Sequence, residues 1–151
     1  MTAYTLIKFL HVLLAIMAVG FNASYGIWMA RAARAPENLL FALRGIKFID
    51  DRLANPGYGL LLVTGLAMVL VGHLSLTTFW LAAALTLWVI LVLVAVLVYT
   101  PTLRAQIRVL EDAGPTSAEF VALNRRGTRV GGLLGVAVLV IVFLMVTKPT
   151  F

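Results

Sequence analysis

Residues 54–103 read ANPGYGLLLVTGLAMVLVGHLSLTTFWLAAALTLWVILVLVAVLVYTPTL, without one Asp, Glu, Lys or Arg. A charge-free run of this length is too long for one buried helix. It reads as two membrane-crossing helices joined by a short turn. His73-Leu-Ser-Leu-Thr-Thr78 is that turn, and Thr78 is placed to cap the helix that follows. Two further apolar segments flank the run, so the chain predicts four spans, at about 4–30, 56–72, 79–100 and 130–147. Between the first two spans, residues of about 37–54 mix Leu39, Leu43 and Ile46 with Arg44, Lys47, Asp50, Asp51 and Arg52. That mixture predicts an amphipathic helix at the membrane surface. Pro36 suits its first turn, and Asn55-Pro56-Gly57 predicts a break or kink after it. The expected fold class is all-α: an integral membrane four-helix bundle, up-down-up-down, with helical cytoplasmic extensions.

Composition points the same way. The chain is 62% hydrophobic and 12% charged, against about 25% charged in an average soluble domain. It has no cysteine, which excludes disulfides, thiolate metal sites and c-type haem attachment. The first apolar segment is longer than a signal-peptide core and is read as retained. The net charge of +6 sits in two clusters, Arg31 to Arg52 and Arg104 to Arg129, each between apolar spans. Neither carries a nucleic-acid-binding motif, so the charge is assigned to anionic headgroups and no nucleic-acid partner is expected. Ten of the twelve Lys and Arg residues lie in these two loops. The positive-inside rule then puts both loops in the cytoplasm and both termini on the outer face.

The first span carries a polar or small stripe: Lys8, His11, Ala15, Ala18, Asn22, Tyr25 and Met29, at alternating spacings of three and four. In lipid such a stripe faces the other helices, and Ile7, Leu10, Leu14, Phe21 and Trp28 face the acyl chains. Gly127, Gly131 and Gly135 make a small-residue face on the last helix, which Thr116 and Glu119 are spaced to open as a capping box. Pro101 predicts a kink in the third helix.

His11 lies about 10 Å below the outer end of its helix, counting ~1.5 Å per residue. Met68 and Met145 fall at a similar depth, with His73 just above and Lys8 nearly one turn above His11. An imidazole with a second His or Met is an axial pair for b-type haem, and Lys8 or Lys148 could meet propionates. Copper(I) also suits a His and Met set, with His11 as its metal ligand. The plainer readings are a packed methionine, a turn histidine at headgroup depth for His73, and an interhelical hydrogen bond for His11. Asp50 and Asp51 are adjacent and so point to different sides of a helix, and no carboxylate falls inside a span. That weighs against a proton-coupled pump.

Several stretches carry a resemblance: Lys8-Phe-Leu-His11 with Gly20, Asn55-Pro-Gly-Tyr-Gly59 with Thr64-Gly65, Arg125-Arg-Gly127, and Leu144-Met-Val-Thr-Lys-Pro149. Over nearly its whole length the chain resembles a bacterial family of predicted integral membrane proteins labelled as a domain of unknown function. The plan is also similar to the four-helix membrane protoporphyrinogen oxidase family, and to the membrane domain of D-type copper-resistance proteins. In both, a Lys-x-x-His pattern opens the first helix, and His11 is the position that would inherit the ligand role. The later histidines and the intramembrane basic residue of the oxidase family have no counterpart here. The resemblance therefore implies haem or metal binding rather than porphyrinogen oxidation, in a bacterial inner membrane.

Three functions follow as expectations. One is a haem b or membrane redox protein using His11, with Met68, His73 or Met145 as the second ligand. Another is an accessory subunit of a larger membrane complex, or a homo-oligomer, without cofactor. The third is copper or small-solute handling. No reaction is assigned.

Overall fold

The computed structural model describes residues 2–149. Four long helices make up the chain: α1 (Ala3–Ala32), α2 (Pro36–Val71), α3 (Phe79–Ala113) and α4 (Ala118–Thr147). Each is long and apolar enough to cross a membrane. No strand is present among the described residues.

Local chemistry sets the ends. Thr2 caps α1 through its side chain, which accepts from the Thr5 amide at 3.2 Å. Pro36 occupies the first helical position of α2, where its missing N–H would be unpaired anyway. The cap of α4 is Ser117, one residue beyond the Thr116 of the expected box, and its hydroxyl accepts from the Phe120 amide at 3.3 Å. Glu119 falls in the first turn of that helix, favourable to its positive end. Gly114 stops α3 at φ +78, a conformation that costs glycine little. Thr78 stands at the start of α3, but its side chain makes no capping bond.

Pairing is antiparallel and in register. Along α1 and α2, Tyr4 meets Gly72, His11 meets Thr64 and Gly65, and Asn22 meets Tyr58. Along α3 and α4, the Lys148 ammonium lies 5.4 Å from the Trp80 ring centre, Tyr99 lies against Gly131, and Gln106 against Gly127. α1 also packs on α4, and residues 39–49 of α2 pack on residues 100–113 of α3. The order around the bundle is thus α2, α1, α4, α3, closing into a ring at the basic end.

The expected lipid and interior faces of α1 hold in part: Phe21, expected against the acyl chains, packs instead on the core cluster at the basic end. Ala18 and Tyr25 are buried, whereas Leu10 and Trp28 are exposed. Lys8, near the N-terminal end of the same stripe, is exposed. The densest core lies at the basic end, around Leu43, Ile46 and Leu103 with Ala42, Leu39 and Phe120. At 35 residues, α3 is about 52 Å long. A hydrocarbon core of about 30 Å leaves its last turns outside. There water is present, and burial of these side chains is driven by the ordinary hydrophobic effect.

Candidate functional site: a cavity at the basic end

Both prolines inside helices are accommodated the same way. The wide turns at Asp50–Ala54 and Ala95–Tyr99 each end one residue before an Xaa-Pro pair. The Asn55 amide reaches back to the Asp50 carbonyl, and the Thr100 amide to the Ala95 carbonyl. Proline cannot donate, and its ring crowds the carbonyl four residues back. A single turn of i to i+5 bonding makes room without breaking the helix. The break expected at Asn55-Pro56-Gly57 is therefore a continuous helix with one widened turn.

The two wide turns face each other. The Thr100 hydroxyl and the Asn55 amide both donate to Oδ2 of Asp50, each at 3.4 Å. These are long hydrogen bonds, at the weak end of the range. Asp50 is 5% exposed. Its neighbour Asp51 is exposed and pairs with Lys47 one turn earlier. A carboxylate removed from water is costly unless well partnered, so Asp50 is an under-satisfied group inside the bundle. The sequence reading had placed it among the surface charges of an amphipathic helix.

Asp50 borders a partly open cavity of about 690 Å³ lined by all four helices. That volume is in the range of small-molecule pockets. Apolar side chains and the glycine face of α4 make most of the wall. Besides Asp50, the polar lining comes from Asn22 and Tyr25 of α1, Tyr58 of α2, Tyr99 and Gln106 of α3, and Asn124 and Thr128 of α4. Some of these groups are paired. Asn22 donates to the Ala18 carbonyl at 3.0 Å and to the Tyr58 hydroxyl. Gln106 donates to Asn124 at 3.2 Å. Tyr25 differs: it is buried, and its hydroxyl has no hydrogen-bond partner. Buried polar groups rarely stay unpaired, so an open donor on a cavity wall marks where a ligand or water would bond.

Glycine spacing shapes this wall. A Cβ at Gly127 would stand 3.0 Å from the Gln106 side chain, and one at Gly131 would stand 3.4 Å from Tyr99. These two glycines admit close side chains, as the small-residue pattern implies. One turn further, a Cβ at Gly135 would meet nothing within 4 Å. There the stripe opens on the cavity instead of packing.

The residues proposed from sequence lie elsewhere. Lys8 and His73 are exposed, and Met68 and Met145 are half-buried. None of them, nor His11, lines the cavity. The structure gives His11 a defined partner: its Nδ1 lies 2.9 Å from the Thr64 hydroxyl, with the ring edge over Gly65. Thr64 donates its own proton to the Leu60 carbonyl at 2.8 Å. In the tautomer that matches this bond, the Thr64 oxygen accepts, His11 Nδ1 carries the hydrogen and Nε2 holds a lone pair. Among the described residues no three His, Cys, Asp or Glu side chains group as a metal site. Thr64→Val, which keeps the shape and removes the acceptor, is expected to lower stability by about 1 kcal/mol. Thermal unfolding in detergent checks it.

Asp50 was legible in principle. Leu39, Leu43, Ile46 and Asp50 continue one stripe at spacings of four, three and four, and all four are buried.

The family described as a predicted integral membrane protein (DUF2269) matches residues 5–149. Among curated proteins and among solved structures, none matches.

Proposed function

Since the chain belongs to that family of integral membrane proteins, we propose that it binds a lipid-soluble small molecule in the cavity at its basic end. The observation that carries the reading is the unpartnered Tyr25 hydroxyl on the wall of a 690 Å³ space. Small-molecule sites combine apolar walls with a few convergent polar groups, and Tyr25, Asp50 and Tyr58 supply them. The charge bias supports a cytoplasmic position for this end in a bacterial inner membrane, with the ligand entering from the inner leaflet. The test uses protein in nanodiscs with two labelled probes, the cation tetraphenylphosphonium and the neutral triphenylphosphine oxide. Saturable binding of at least one, above that of empty nanodiscs, is expected. Simple partitioning of both into lipid contradicts the reading.

The His11–Thr64 hydrogen bond supports a second reading, in which Nε2 binds b-type haem or copper. A hydrogen bond from Nδ1 to a fixed acceptor is how proteins orient a metal-bound imidazole. Haem or copper would supply one-electron chemistry, and Thr64 would hold the ring in place. Protein made with haem precursor should then show a Soret band that His11→Ala removes. A colourless preparation that also takes up no copper contradicts it.

A further inference from the structure

The charge of the cavity wall identifies what kind of molecule it takes. The chain has 12 Lys and Arg against 6 Asp and Glu. Yet among the described residues no Lys, Arg or His lines the cavity, and its one charged group is Asp50. No cation touches Asp50: Lys47 contacts Asp51 and acts on Asp50 only through space, and Arg44 contacts Glu111 at 2.6 Å. Asp50 keeps only its two 3.4 Å contacts, both on one oxygen. Three tyrosines, Tyr25, Tyr58 and Tyr99, share the wall with it. Aromatic faces attract organic cations, most strongly where water is excluded. A buried carboxylate gains most from an opposite charge a few ångströms away.

We propose that the ligand is an amphipathic organic cation, with its charged head beside Asp50 among the tyrosines and its apolar part along the glycine face of α4. This rests on the binding reading given above and narrows it to one class. A fatty acid or phosphate ester would meet a carboxylate with no basic group to receive it. A neutral molecule would give Asp50 no opposite charge in contact, beyond its two long hydrogen bonds and the through-space effect of Lys47. Anionic lipids on the cytoplasmic face concentrate cations at the same level, which supplies the ligand where the cavity lies.

The experiment compares the two nanodisc probes on the wild type and on Asp50→Asn, Asp50→Glu and Asp51→Asn. Tetraphenylphosphonium should bind at least tenfold tighter than triphenylphosphine oxide. Asp50→Asn should remove that preference by weakening the cation alone, while Asp50→Glu and Asp51→Asn retain it. Thermal unfolding of each variant shows whether it is folded, and the Asp50→Glu result carries the test if Asp50→Asn does not fold. Equal affinity for both probes, or a preference untouched by Asp50→Asn, overturns the cation assignment and leaves the cavity reading standing. Failure of both probes to bind the wild type overturns both.

Discussion

Leu43→Ala is expected to lower stability by about 2–5 kcal/mol, the range for emptying a fully buried leucine site. Leu43 is 1% exposed, at the centre of the cluster that joins α1, α2, α3 and α4 at the basic end. Two effects add there. The truncated side chain leaves a void among Ile46, Leu103 and their neighbours. The cluster also lies where water competes, so the lost burial is a true transfer cost. Within the hydrocarbon the second effect vanishes, because lipid tails are as apolar as leucine. Leu133, 70% exposed on the lipid face of α4, is therefore the control, and Leu133→Ala should stay within about 0.5 kcal/mol. Reversible unfolding in mixed micelles compares the two. Equal losses would mean that the basic end is not a water-excluding core.

Gly135→Leu is expected to weaken probe binding at least tenfold while leaving the melting temperature unchanged or higher. The added side chain starts from a point with no atom within 4 Å and lies on the wall of the cavity. It fills space the ligand needs without colliding with a neighbour. Helix propensity adds roughly 0.5–0.8 kcal/mol in favour of replacing a helix-interior glycine with leucine. Loss of binding together with raised stability is the signature of a filled site rather than a damaged fold. Gly127→Leu should instead lower the melting temperature, because its Cβ would press on the buried Gln106 side chain at 3.0 Å. Melting curves and saturation binding on the same preparations check both. Unimpaired binding by Gly135→Leu would place the ligand outside this cavity.

Much of the architecture could be read from the chain because lipid imposes simple rules. Span length and the absence of charge fixed the four helices, and the three-four spacing of Ala18, Asn22 and Tyr25 fixed which face of α1 turns inward. The cavity was harder to see. Asp50 and Asp51 have the same chemistry and adjacent places, and only the helical phase from Leu39 and Leu43 separates them. Weighing residue type above phase put Asp50 in solvent. Prolines at 56 and 101 read as kinks, and each follows a widened turn that keeps its helix continuous. Whether the glycine face of α4 packs or opens depends on what stands across from it: Gln106 and Tyr99 fill two positions and nothing fills the third. His11 drew notice as an ionisable group within a span, and its hydrogen bond to Thr64 was among the readings weighed.

The account turns on a carboxylate that faces the helices rather than water. The chain has no cysteine, so Asp50→Cys and Asp51→Cys can each be labelled with a charged, membrane-impermeant maleimide without background. Labelling of Asp51→Cys should be fast, and that of Asp50→Cys at least tenfold slower in the folded protein. Equal rates for the two would contradict the inward placement of Asp50 and, with it, the site.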